Sequence, residues 1–204
     1  MVVWVGTAAS QTTNIVFVEN VADSLVEKLV KTSPDILSGP VCIVNAGGQH
    51  DLDWLFEHRF VTYFQKQTDQ KIYVSNKTDG CFSLTDRLKP LHTVEYDIQA
   101  YKIEYTPGKT GLDSPDLYQR SVGLSIYVRV LTQPEGRLVW NGSLEEYESD
   151  IIDKSAIPTL ESDDEAFTHG NYIKPESGGS VFQPIVVATV TGVIVYLFFA
   201  FRSR

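Results

Sequence analysis

Arg120–Asp150 reads RSVGLSIYVRVLTQPEGRLVWNGSLEEYESD, and its periodicity sets the fold class. Val122, Leu124, Ile126, Val128 and Val130 occupy every second position. Successive strand side chains point to opposite faces, so this is a strand with one buried side. Gln133-Pro134-Glu135-Gly136 has turn chemistry, and Leu138 and Trp140 resume the alternation beyond it, which predicts a hairpin. Working back towards the N-terminus, Val94, Tyr96, Ile98 and Ala100 alternate as well. Tyr101, Ile103 and Tyr105 then continue in the opposite phase, as a β-bulge near Ala100 would produce. Thr106 to Leu117 carries the Pro and Gly needed to leave that strand.

Further upstream the spacing becomes helical. After the apolar run Ile15 to Val18, Asn20 can cap a helix whose Val21, Leu25, Val26, Leu29 and Val30 share one face. Asp23 supplies negative charge near its start, and Pro34 stops it. Val41 to Val44 is a short strand of the fully buried type. Asp51 can cap a second helix carrying Leu52, Leu55, Phe56, Phe60, Tyr63 and Phe64, and Lys71 to Ser75 is another strand before turn residues at Asn76 to Gly80. The expected fold is α+β: two amphipathic helices packed on a mixed, mainly antiparallel sheet, spanning residues 13–150. Between Ser143 and Glu165 nine acidic residues face one lysine, Lys154, so 151–180 reads as an acidic linker ending in the flexible Ser177-Gly178-Gly179-Ser180.

Residues 181–204 read as a transmembrane helix with a short basic tail. No charge occurs between Ser177 and Arg202, and Pro184 to Phe201 (PIVVATVTGVIVYLFFAF) is apolar almost throughout. About 18 to 20 such residues at ~1.5 Å rise cross a ~30 Å hydrocarbon core. A buried C-terminal helix is the alternative, but this segment has no polar stripe. Pro184 suits the first helical turn, Val187 lies in the apolar stretch, Gly192 permits close packing, and Tyr196 and Phe199 sit towards the interface marked by Arg202 and Arg204. The positive-inside rule puts those arginines in the cytoplasm, the anchor in the inner membrane and the body outside, as the periplasmic domain of a bacterial cell-envelope protein. Residues 1–12 then read as a signal-peptide remnant: Val2 to Val5 resemble the end of an apolar region and Thr7-Ala8-Ala9 a small-residue cleavage site. A short edge strand of a cytoplasmic, tail-anchored protein is the other reading.

Net charge is −9 even with Arg202 and Arg204 included, and Lys and Arg form no stripe with aromatics, so the expected partners exclude nucleic acid. They are the lipid bilayer, through the C-terminal helix, and other envelope or membrane proteins. Cys42 and Cys81 lie in apolar runs without a metal-ligand spacing and read as small buried hydrophobes, with a disulfide between them as the alternative. His50 and His58 do not form a HExxH pair, and His92 and His169 lie in other elements; no cofactor and no metal site is expected. One alternative ligand loop stands out, with Asn45, Gly47, Gly48, His50, Asp51 and Asp53 at the mouth of a helix. It lacks GxGxxG, a P-loop pattern or a nearby Lys, and there is no GxSxG elbow. A non-catalytic interaction protein is therefore expected, with a membrane-tethered hydrolase or small-ligand-binding protein using that loop as the alternative.

The element order, together with Pro134-Glu135-Gly136 followed by Leu138-Val139-Trp140-Asn141-Gly142, resembles the periplasmic domains of bacterial envelope-assembly proteins. These are the curli-secretion lipoprotein group, the flagellar outer-membrane assembly proteins and the N-terminal domain of the Tol translocation protein, whose hairpin reads "TGE" and then "LWSG". The resemblance spans about Val21 to Tyr147 and implies a protein-binding α+β domain with no catalytic residues to carry over. A lipobox cysteine is not present, and a C-terminal transmembrane helix is foreign to those proteins. Pore formation is therefore not implied.

Overall fold

The computed structural model describes residues 11–67, 69, 71–75, 91–108 and 116–173. They belong to a compact unit, Met1–Ile173; a second unit, Lys174–Arg204, lies outside the described residues. Among the described residues three α-helices lie with one mixed sheet, an α+β fold. α1 (Asn14–Thr32) is followed by β1 (Val41–Asn45), α2 (Asp53–Gln67) and β2 (Ile72–Ser75). Three 17-residue strands come next, β3 (Leu91–Pro107), β4 (Leu117–Gln133) and β5 (Arg137–Asp153), and then the short α3 (Ile157–Leu160) and β6 (Asn171–Tyr172).

The sheet order is β2-β1-β3-β4-β5, with β6 joined to β3. β1 is parallel to both β2 and β3, whereas β3–β4 and β4–β5 are antiparallel along nearly their whole length. The expected bulge is present: the register shifts between Ile98 and Ala100, which returns Tyr101, Ile103 and Tyr105 to the face of Val94 and Tyr96. The hairpin turn has Gly136 at φ 64°, a left-handed conformation that a side chain would strain.

α1 and α2 bury their apolar stripes on one sheet face. Phe17, Val18, Val21, Ala22, Leu25, Val26 and Leu29 share one buried cluster with Val122, Leu124, Ile126 and Val128, in which Phe56 and Phe60 pack on Tyr96 and Phe64 stacks on Phe60. Phe56 lies edge-on to Phe60 at 4.8 Å and 5.1 Å from the Tyr96 ring, within the range where aromatic pairs add to area burial. Arg59 of α2 clasps Asp23 of α1 through Nε at 2.7 Å and through Nη2, joining the two helices.

Three expectations need correction. α1 begins at Asn14 rather than being capped by Asn20, which lies exposed within it. The reason is that Phe17 and Val18 precede Val21 and Ala22 at the same helical spacing, so the apolar stripe extends back through that run. Asp51 does not cap α2, which starts at Asp53 and uses His50 as described below.

The acidic stretch is not a solvated linker through Ile173. Ser143–Asp153 continues β5, and the residues after it pack on the body, with Ile157, Leu160, Phe167 and Thr168 buried. The cause is a mismatch of strand length. β1 pairs with β3 only over 92–96, leaving the distal part of that β3 edge without a neighbour, and β6 fills it at Glu104 and Tyr105. Ile173 N–H then donates to Tyr105 O at 2.9 Å.

Candidate interaction surface

The Asn45–Asp53 loop brings its residues together, but local structure occupies their polar groups. Asn45 Oδ1 accepts from Gly47 N–H at 3.0 Å, and Ala46 N–H donates to Tyr96 O at 2.8 Å. His50 N–H donates to Asp53 Oδ2 at 2.8 Å, while His50 Nδ1 accepts from Leu52 N–H at 3.1 Å. This is a reciprocal capping box in which a histidine ring stands where Ser or Thr is usual. Nδ1 must be unprotonated to accept, so the ring proton sits on Nε2. Gly47 abuts Asp97, whose Oδ1 would lie 2.0 Å from an added Cβ, and Gly48 and Asp51 face solvent. The loop is a built helix entry, with the N–H groups of Ala46, Gly47, His50, Leu52 and Asp53 already bonded within the protein.

The other candidates are dispersed. His58 is exposed on α2, and His169 Nδ1 stands 3.2 Å from Glu161 Oε2. His92 is buried with Nε2 3.2 Å from Ser38 Oγ and with no partner for Nδ1; burial lowers its pKa, partly offset by the charge of Asp35. Among the described residues no group of three or more His, Cys, Asp or Glu is arranged to hold a metal. Cys42 is disulfide-bonded, which corrects its reading as a free buried thiol; Cys81 lies outside the described residues. No described helix is long and apolar enough to cross a membrane. The anchor residues Pro184, Val187, Gly192, Tyr196, Phe199, Arg202 and Arg204, and the start Val2 to Val5, also lie outside the described residues.

Sequence reasoning missed a buried polar hub. Arg120 is wholly buried. Its Nε donates to Asp150 Oδ1 at 2.9 Å and its Nη2 to Asp150 Oδ2 at 2.5 Å, while Nη1 donates to Thr12 O and Asn14 Oδ1 at 2.8 and 2.7 Å. Asn14 Nδ2 passes the network on to the Tyr105 hydroxyl and Thr168 O at 2.7 and 2.6 Å. Burial pushes the Tyr105 hydroxyl up to about 12. The guanidinium also lies 4.3 Å over the Phe17 ring. The hub ties α1, β3, β4, β5 and the C-terminal segment together. One signal was legible: Arg120 shares the phase of Val122 and Leu124, placing a cation on the buried face where it needs a partner.

The surface left open is that of β5. It is one of the sheet's two edges, opposite β2, and among the described residues it pairs only with β4. On the face away from the helices it presents Asn141, Ser143, Glu145, Tyr147, Ser149 and Ile151, all exposed. Tyr147 is 60% and Ile151 56% exposed. The Tyr147 ring lies over Gly123, where an added Cβ would stand 2.5 Å from Cε1. On the helix side Glu146 pairs with Lys28 and Asp150 with Arg120. Lys28 Nζ also donates to the Glu145 carbonyl at 2.9 Å. Glu148, between these pairs, has no cation within ion-pair reach among the described residues. Burial, and then the charges of Glu146 and Asp150, raise its pKa.

No protein-family model matches the chain, and no curated protein matches it in sequence. Among solved structures it is similar to lipoprotein GNA1162 from Neisseria meningitidis, at 10% identity over 78% of this chain and 99% of that one, with a TM-score of 0.35. It is also similar to the hypothetical protein CT253 from Chlamydia trachomatis, at 17% identity over 54% and 73% of the two chains and a TM-score of 0.30. A neuraminyllactose-binding hemagglutinin homolog from Helicobacter pylori matches at 6% identity over 60% and 74%, with a TM-score of 0.31. Likenesses this low place the chain in no family and carry no activity.

Proposed function

We propose that this chain is a non-catalytic, single-pass protein of a bacterial cell envelope, whose α+β domain serves as a scaffold or structural subunit of a larger membrane complex. The observation that carries this reading is the open β5 edge with its exposed outer face: 17 residues of strand that, among the described residues, have a neighbour on one side only. Unpaired strand edges are templates for another chain. The apolar Pro184 to Phe201 stretch supports a membrane anchor, and Arg202 and Arg204 support a body on the outer side. The bonded state of Cys42 agrees with that side, since disulfides persist in oxidising compartments. The alternative, a membrane-tethered hydrolase or ligand-binding protein using Asn45–Asp53, is less favoured because Asn45 Oδ1, His50 Nδ1 and Asp53 Oδ2 are taken up by the turn and the cap.

The test is extraction of the tagged full chain in mild detergent followed by mass spectrometry, with reporter fusions at both termini. A stoichiometric envelope partner and a cytoplasmic C-terminus are the expected results. Recovery of the chain alone, or a body facing the cytoplasm, would overturn the reading. Alkylation of the denatured, unreduced protein should leave Cys42 unmodified.

A further inference from the structure

We infer that β5 is a docking edge for an extended, basic segment of a partner protein, which adds to the sheet as a further strand beside Tyr147–Ile151. This rests on the scaffold reading and names the kind of partner it needs. β5 alternates exposed and half-covered residues along most of its length and, among the described residues, has a strand neighbour on one side only. A segment laid against the other side gains main-chain hydrogen bonds, while side chains at alternate positions set specificity.

The charge of the edge selects the occupant. Glu145, Glu146, Glu148, Asp150 and Asp153 lie on β5, and no Lys or Arg occurs from Leu138 to Asp153. A second copy pairing antiparallel through the same strand would set these carboxylates against one another, and like charges directly opposite are destabilising. A strand with Lys or Arg at alternate positions meets the opposite situation. The domain supplies an example of this complementarity: Lys28, reaching over from α1, takes both the Glu146 carboxylate and the Glu145 carbonyl. Arg120 takes Asp150 from beneath. Glu148 is flanked by those two pairs and, among the described residues, has no cation of its own. A basic side chain from an added strand would stand directly opposite or diagonal to it, within the reach of cross-strand pairs. Tyr147 and Ile151, exposed on the other face, offer apolar contact to the intervening positions.

The experiment uses the full chain in non-ionic detergent and two synthetic peptides, one of alternating Lys and Thr and one with Glu for Lys, with hydrogen exchange of the β5 amides as readout. The Lys peptide should slow exchange from Glu145 to Ile151, and the Glu peptide should not. Glu148→Lys should weaken binding about fivefold, as should Ser149→Lys, whose exposed position leaves the fold intact. Protection at another element, binding to both variants as tight as to the wild type, or no protection would overturn the inference. So would protection that grows with protein concentration alone, which would make a second copy the occupant. A partner recovered equally by wild type and Glu148→Lys would leave the scaffold reading standing while this edge falls. Peptide protection of β5 in a chain always recovered alone would do the reverse.

Discussion

Replacing Asp150 with Leu removes the carboxylate that takes two of the four hydrogen bonds of the Arg120 guanidinium. Arg120 is fully buried, so the loss falls on a charge that water does not reach, whereas Asp150 itself is one-third exposed. Breaking a buried ion pair from one side costs about 3–5 kcal/mol. The edge position of β5 admits some water to the site, so the low end applies, about 3 kcal/mol. At a urea dependence of roughly 2 kcal/mol per molar, the unfolding midpoint should fall by about 1.5 M. Arg120→Met alone leaves Asn14 Oδ1 and the Thr12 carbonyl without their donor but strands no buried charge, so it should cost less, about 2 kcal/mol. The informative variant is the double one. If the cost of Asp150→Leu is that of an orphaned charge, then Arg120→Met/Asp150→Leu should be no less stable than Asp150→Leu alone, because the charge is gone with its partner. Urea unfolding followed by far-ultraviolet circular dichroism at constant salt measures all four corners of the cycle. Strictly additive single effects, or a midpoint shift for Asp150→Leu below about 0.3 M, would refute the reasoning.

The same edge gives a prediction with the opposite sign. Burial and the neighbouring Glu146 and Asp150 raise the folded-state pKa of Glu148, so its ionised form opposes folding above that value, and the penalty disappears below the unfolded value of about 4.3. Glu148→Gln should therefore raise the unfolding midpoint at pH 7, with the gain vanishing in melts run below about pH 4. His92 works the other way. Burial lowers its pKa in the folded state, so the unfolded chain binds the proton first as pH falls below about 6.5, and stability drops from there. His92→Gln should flatten that part of the stability profile. Two glycines separate rigid from yielding neighbours. A Cβ at Gly170 would stand 2.4 Å from the buried Tyr105 ring and 2.8 Å from Ile103 Cγ2, so Gly170→Ala should cost about 1–3 kcal/mol and speed amide exchange at Ile173. Gly123→Ala meets only the exposed Tyr147 ring, which can swing away, and should cost under about 0.5 kcal/mol.

Elements governed by apolar period were legible from the residues. The alternation in Val122–Val130, the change of phase at Ala100 and the helical spacing of Leu55, Phe56, Phe60 and Phe64 all report burial against one face, and each has the expected place in the structure. β5 was harder to read beyond Ser143 because Glu146, Glu148 and Asp150 hold positions where a core-facing strand would carry Val or Ile. Their cations come from elsewhere, Lys28 on α1 and Arg120 on β4, and no local pattern announces them. The register gives a route the local pattern lacks: β4 alternates back to Arg120, so an antiparallel partner turning at Pro134–Gly136 must reach Asp150 to cover it. The packing of 154–173 was hidden for a similar reason. It depends on β1 being shorter than β3, a relation between distant strands. At the Asn45–Asp53 loop the residue types were right for a ligand site, but Ser and Thr are the usual capping residues, so His50 as the cap was not expected.

The sheet has two kinds of exposed edge, and the contrast between them bears on what β5 is for. Where β3 outruns β1, the chain returns to cover it: β6 pairs at Glu104 and Tyr105, Phe167 seats beside Tyr101, and Asn14 holds Thr168 O. That closure uses residues 154–173 and a buried polar hub, and it pairs two residues of β3 beyond the 92–96 stretch that β1 covers. β5 is longer than the gap that β6 fills, yet no described segment pairs with its outer edge. It is guarded instead by charge, with carboxylates along the strand and Lys28 on one carbonyl, a device that discourages pairing of like edges without sealing the backbone. A charge guard differs from a covering strand in one respect that matters here. It repels copies of itself but admits a segment of opposite sign, and its strength falls with salt. If the carboxylates serve only as a guard, neutralising Glu148 should promote self-association at low salt. If they serve to select a partner, neutralisation should weaken capture of a basic strand while the chain stays monomeric. Sedimentation of Glu148→Gln beside the peptide titration separates these outcomes.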